Sequence, residues 1–111
     1  MTLFQAPLAQ AESVRIIPSD TSATTIIPAA NYKQAIGKIR LVNKTGGAVT
    51  ANVEAYDGTT AYSLTGVVSI PANTSIEIYD EMLGVDELLR VTASAGASLV
   101  VHAIFSLGAQ R

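Results

Sequence analysis

The sequence has no cysteine and no tryptophan, a single histidine, and only 5% aromatic residues among its 111 positions. Without thiols there are no disulfide staples, no cysteine nucleophiles and no cysteine-ligated zinc. Charge is scarce as well: 14% of the residues are ionic, against the roughly 25% usual for soluble domains. A disordered chain would be rich in charge and poor in apolar residues, whereas 49% of this one is hydrophobic. Basic residues do not dominate. The formal net charge is −2 and the isoelectric point about 5.2, so no nucleic-acid footprint is expected. Long hydrophobic runs are missing too. Stretches such as Leu99-Val100-Val101 fall far short of the ~20 residues a spanning helix needs, and no membrane partner is expected. Residues 1–10 contain neither lysine nor arginine and no long apolar run, so they do not resemble a signal peptide. The expectation is a chain made, and kept or assembled, in a cytoplasm.

One domain is the most this length accommodates, and it can bury a core without covalent help. Two regions differ in character. Residues 1 to about 30 hold three of the four prolines, Pro7, Pro18 and Pro28, with short β-branched pieces at Val14–Ile17 and Thr24–Ile27. Proline lacks the ladder donor, so these pieces suit sheet edges or an extended arm. From about residue 34 the pattern is regular. Lys38-Ile39-Arg40-Leu41 alternates, and Asn43-Lys44-Thr45-Gly46-Gly47 reverses the chain. Val49, Ala51, Val53 and Ala55 then define one face of the clearest strand, and Asp57-Gly58 is a strong hairpin signal. Tyr62–Leu64 and Val67–Ile70 read as a strand pair, or as one strand bent at Gly66. Pro71-Ala72-Asn73-Thr74 is a turn, and Ser75–Tyr79 alternates again. Asp80–Glu87 reads as an acidic connection with one helical turn at most. Leu89, Val91 and Ala93, then Leu99, Val101, Ala103, Phe105 and Leu107, mark the last two strands.

Short strands at 8–12-residue spacing, with no sustained helical period, predict an all-β antiparallel sandwich, jelly-roll or immunoglobulin-like. The expected organisation is an extended N-terminal arm over 1–30 and a sandwich domain over 31–111. Like-phase positions predict a core of Ile39, Leu41, Val49, Val53, Ile76, Ile78, Leu89, Val91, Leu99, Val101 and Phe105. In the arm, Leu3, Phe4, Leu8, Ile16, Ile17, Ile26 and Ile27 still require burial, which a neighbouring subunit can supply. These are the predicted partner-binding residues.

Catalytic chemistry finds little material. A serine nucleophile needs a histidine base held by a carboxylate, and Ser94, Ser98 and Asp86 are near His102 in sequence. No nucleophile elbow accompanies them, and strand alternation places His102 on a regular face. Glu77, Asp80, Glu81, Asp86 and Glu87 form an acidic stretch, but the order and central glycine of a calcium loop are missing. A solvated or subunit-facing loop is the expectation. Asn43-Lys44-Thr45 and Asn73-Thr74-Ser75 match the glycosylation pattern, yet both read as turns. Lys33, Lys38, Arg40 and Lys44 form a small basic cluster, a solvated strand face or a patch for an acidic partner. Phosphate-loop, zinc and nucleotide fingerprints are all missing. The expectations are therefore no enzyme, no cofactor, and no catalytic or metal-binding residue.

From about Ile26 to Phe105 the sequence resembles small β-sandwich virion proteins of tailed bacteriophages. The resemblance is carried by Ile26-Ile27-Pro28-Ala29, the strand ending Ile39-Arg40-Leu41-Val42-Asn43, and Tyr56-Asp57-Gly58-Thr59-Thr60-Ala61-Tyr62-Ser63-Leu64. Val68-Ser69-Ile70-Pro71-Ala72-Asn73-Thr74, an acidic loop and Leu88-Leu89-Arg90-Val91-Thr92-Ala93-Ser94-Ala95 follow in order. Such proteins commonly carry a glycine-aspartate turn before the last of these strands. Here Gly84-Val85-Asp86-Glu87 makes a longer loop. The resemblance implies a virion protein of the capsid decoration, neck or tail class. Decoration, by clamping major capsid subunits as a homo-oligomer with a trimer favoured, is the first expectation. A head–tail neck or tail component comes second, and a cellular β-sandwich binding module third.

Overall fold

Alternating β-branched and polar residues, broken by Gly, Pro, Asn and Asp, give two packed antiparallel sheets. The computed structural model describes residues 11–106, among which there is no helix. The strands are β1 (Ala11–Ile16), β2 (Thr24–Ile27), β3 (Gln34–Asn43), β4 (Val49–Tyr56), β5 (Ala61–Ser63), β6 (Val68–Ile70), β7 (Ser75–Leu83), β8 (Leu88–Ala93) and β9 (Leu99–Ser106). The first sheet has the order β1-β9-β3-β7, and the second β2-β8-β4-β5, with β6 also on β4. The chain crosses between sheets at almost every step, with only β4, β5 and β6 staying together. Counting β5 and β6 as one interrupted strand, this is the double-wrapped order of a jelly roll, which separates the two topologies the sequence left open.

Residues 11–30 are built into this sandwich instead of forming an arm. β1 pairs with β9 from Ala11 opposite Ser106 to Ile16 opposite Val101, and β2 pairs with β8. Ile26 and Ile27 are 2% and 0% exposed, and Ile16 packs half-buried against the same core. Their burial comes from their own chain. The reason is visible in the strand order. β1 and β2 are both edge strands, and Pro18 and Pro28 lie just beyond their ends, where a missing N–H interrupts no ladder. Ile17 remains 48% exposed. Leu3, Phe4 and Leu8 lie outside the described residues.

The acidic stretch also differs from expectation. β7 runs on through Asp80, Glu81 and Met82 to Leu83, and only Gly84–Glu87 is a turn. That turn is closed by the Glu87 N–H on the Gly84 carbonyl (3.2 Å) and the Gly84 N–H on the Glu87 carboxylate (2.7 Å). β5 and β6 pair with separate parts of β4, not with each other, and left-handed Gly66 (φ 66°) lies between them.

Of the predicted core, Ile39, Leu41, Val49, Val53, Leu89, Val91, Leu99 and Val101 are buried. Ile76, Ile78 and Phe105 pack on it half-exposed, while Ile36, Ile70 and Leu83 are buried members that were not predicted. One irregularity explains Ile36. The register of β3 against β9 shifts between Ile36 and Lys38, so Gly37 is an extra residue, and the inward positions change from even (Gln34, Ile36) to odd (Ile39, Leu41, Asn43). Across the ladder β7 has its own irregularity at Asp80 (φ 61°), after which Leu83 points inward.

Two polar details tie the ends of the sandwich. Asn43 is fully buried, and its side-chain amide donates to the carbonyls of Gly47 (2.8 Å), Ile70 (2.9 Å) and Pro71 (3.2 Å). Its Oδ1 accepts from the Thr45 N–H (2.9 Å) and Thr45 hydroxyl (2.7 Å). At Gly96 the segment after β1 crosses so closely that an added Cβ would lie 2.5 Å from the Ser19 carbonyl oxygen. The neighbouring Ala97 N–H donates to the Pro18 carbonyl (2.7 Å).

Candidate interaction surface

The outward faces of the two sheets differ. On the second sheet the polar side chains satisfy one another. Arg90 bonds Glu54 at 2.8 Å and stacks over the Tyr56 ring at 3.9 Å. The Asn52 amide donates to Glu54 (3.0 Å), and the Ser63 hydroxyl donates to Asn52 (2.5 Å). Asn52, Glu54 and Arg90, with Thr50, Val67 and Thr92, border a shallow depression of about 400 Å³.

The first sheet presents a cationic row set among apolar neighbours. Cross-strand register aligns Arg15 of β1, His102 of β9, Arg40 of β3 and Glu77 of β7. The adjoining row runs Ser13, Ile104, Lys38, Tyr79. On the opposite side of the cationic row, Val42 pairs with Val100. Arg40 donates to Glu77 at 2.9 Å, and the Tyr79 hydroxyl donates to the same carboxylate. Those two bonds, Tyr79 first, hold the Glu77 carboxyl below its ordinary range. Among the described residues Arg15 and Lys38 form no ion pair. Desolvation, then the charges of Arg15, Arg40 and Lys38, keep the His102 imidazole below its usual pKa. Its Nε2 is buried without a hydrogen-bond partner.

Beside Lys38, the paired irregularities of β3 and β7 open a groove of about 430 Å³. Ala11, Ala35, Gly37, Met82, Ile104 and Phe105 make most of its lining apolar, and Asp80 and Glu81 also line it. Met82 is 58% exposed at the rim.

The sequence-predicted candidates separate accordingly. The serines near His102 are occupied in turns: Ser98 donates to the Ala95 carbonyl (2.6 Å), and Ser94 accepts from the Thr50 N–H (3.0 Å). Among the described residues no three His, Asp or Glu side chains converge on a common metal position. Asn43 is the buried turn keystone described above. Lys38 and Arg40 do share a face, where Arg15 joins them, while Lys33 and Lys44 lie just before and just after β3. Sequence reasoning missed Arg15 because it lies far away in the chain, and missed the groove because no local pattern marks the pairing of Gly37 with Asp80.

No protein-family model matches this chain, and no curated protein does. Solved structures share its fold. A chain in the acid-stable capsid structure of Helicobacter pylori bacteriophage KHP30 aligns over 89% of this chain and 89% of its own, with TM-score 0.60 and 8% identity. The nucleoplasmin-like N-terminal domain of Drosophila FKBP39 aligns over 93% and 95%, with TM-score 0.55 and 10% identity. A putative alpha-L-fucosidase from Bacteroides thetaiotaomicron aligns over 85% of this chain and 22% of its own, with TM-score 0.54 and 13% identity. At these identities the likeness concerns the two-sheet fold alone, and the three proteins serve different purposes.

Proposed function

We propose that this chain is a non-enzymatic structural protein of a bacteriophage virion, specifically a capsid decoration protein that stabilises the head by bridging major capsid subunits. The observation that carries the reading is the coincidence of two independent likenesses. The strand-and-turn segments from Ile26 to Phe105 resemble tailed-phage virion proteins, and the fold extends over nearly the whole of a chain from a phage capsid structure. The surface suits the role. Charges are few and several are already paired, so neighbours can cover it without burying many uncompensated ions. A homo-oligomer, a trimer being favoured, would engage several capsid subunits at once and gain through avidity. Binding only the assembled shell stabilises it by mass action.

The second reading is a head–tail neck or tail component built from the same sandwich. Copy number separates the two. Quantitative gel densitometry of purified particles should find hundreds of copies per particle for decoration. About six to twelve copies, the number a symmetric ring at the portal axis requires, would overturn decoration in favour of the neck. Absence of the chain from purified particles would overturn both and leave a cellular binding module.

A further inference from the structure

We infer that the cationic, grooved outer face of the first sheet receives the β7–β8 turn of a second copy of this chain, giving a head-to-tail homo-oligomer. This goes beyond the virion reading and does not depend on it. Three of the seven basic residues, Arg15, Lys38 and Arg40, meet around His102 on one face of a chain whose net charge is −2. Arg40 is held by Glu77, which leaves Arg15 and Lys38 as the cations without an ion pair among the described residues, whereas Arg90 of the second sheet is paired with Glu54. Beside the cations lies the apolar groove under Met82 and Ile104. The face therefore fits a protein segment that offers a large apolar side chain next to carboxylates.

The same chain carries that segment. In the turn Gly84–Glu87, Val85 is 51% exposed and is followed directly by Asp86 and Glu87. The turn is held rigid. The Asp86 N–H donates to the Ala30 carbonyl (2.7 Å), Glu87 closes the loop onto Gly84, and Asp86 adopts φ 65°, which aspartate tolerates. A preorganised turn loses little entropy on docking. Val85 enters the groove, and Asp86 meets Lys38 beside it, with Arg15 adding to the attraction across the same face. Three cations are too few for an extended nucleic-acid track, and a mostly apolar groove offers a phosphate backbone nothing. Turn and face are different patches, and joined head to tail the contact closes into a ring or continues as an open array.

Sedimentation velocity over a concentration series tests this with the purified full-length chain. Wild type should show mass rising with concentration, weakening as the ionic strength is raised from about 0.05 M to about 0.5 M. Lys38→Glu damages the face, and Val85→Asp damages the turn. Each should weaken association at least tenfold, while Ser69→Glu, on the other sheet, leaves it unchanged. Mixed in equal amounts, the two damaged chains should associate again but stop at dimers, since one retains a good turn and the other a good face. Thermal melting by circular dichroism checks that each variant folds. Arg15→Glu, on the exposed edge strand, replaces Lys38→Glu if that chain does not. A wild type monomeric at every concentration, or a mixture no better than its components, would overturn the inference. So would capture of a DNA oligonucleotide by wild type that Lys38→Glu abolishes, since the cations would then serve phosphate.

Discussion

Replacing Asn43 with leucine removes a buried polar keystone while keeping most of its volume. The amide has two protons to share among three carbonyls, and its oxygen accepts two bonds from Thr45, so about four full hydrogen bonds are at stake. At about 1 kcal/mol net for each, the loss is about 4 kcal/mol. That is a large share of the roughly 5–15 kcal/mol that holds a domain together. It corresponds to a melting temperature lower by roughly 16–32 °C for a domain of this size. Leucine is the informative replacement. If Asn43 mattered only by filling space, Asn43→Leu would be nearly neutral. Because the Ile70 and Gly47 carbonyls lose their donor, it should be about as damaging as Asn43→Ala. Urea unfolding followed by circular dichroism measures both, with an unchanged denaturant slope confirming that the effect lies in stability. A loss below about 1 kcal/mol for Asn43→Leu would refute the hydrogen-bond reasoning.

Three further outcomes are expected. Ile27→Ala should lower stability by about 2–5 kcal/mol in the same urea assay, because Ile27 belongs to the core; an unfolding midpoint equal to wild type would restore the separate-arm expectation. Gly96→Ala should cost about 1–3 kcal/mol, read as a lower melting temperature, since the contact at 2.5 Å is with backbone that must move. His102 binds its proton less readily when folded than its ordinary value near 6.5 allows, so below that pH the unfolded chain takes up more protons. Stability should therefore fall as the pH drops below about 6.5, with His102→Gln flattening that part of the profile; an NMR titration placing the imidazole above 6.5 would contradict the sign.

Much of the sandwich was legible because strand alternation is a direct record of which side faces the core. Val49, Val53, Leu89 and Val91 needed nothing more. The reading failed where a residue's parity depends on a partner strand. Ile36 and Ile39 are both buried although they are three positions apart, and only the extra residue Gly37 reconciles them. Asp80–Leu83 is strand despite its acidic composition, because pairing with β3 supplies the backbone bonds that local preference would not predict. The prolines correctly marked sheet edges, but the arm was a wrong extension of that signal: an edge strand has one free side and still buries Ile26 and Ile27. The interaction face was the least legible part. Arg15, Lys38 and His102 are brought together by three strands distant in sequence, and only the order β1-β9-β3 makes them neighbours.

The left-handed Asp80 has a consequence for crowding. β7 is nine residues long, contains no proline and forms an open border of its sheet, the kind of border along which identical chains zip into fibres. Asp80 twists the backbone out of line after its fifth residue, and Glu77 and Glu81 flank the break with like charges. No straight stretch is left that an incoming strand could follow for more than a few residues. Many copies can therefore be held side by side at high local concentration while each remains a discrete body, with contact left to side chains and turns.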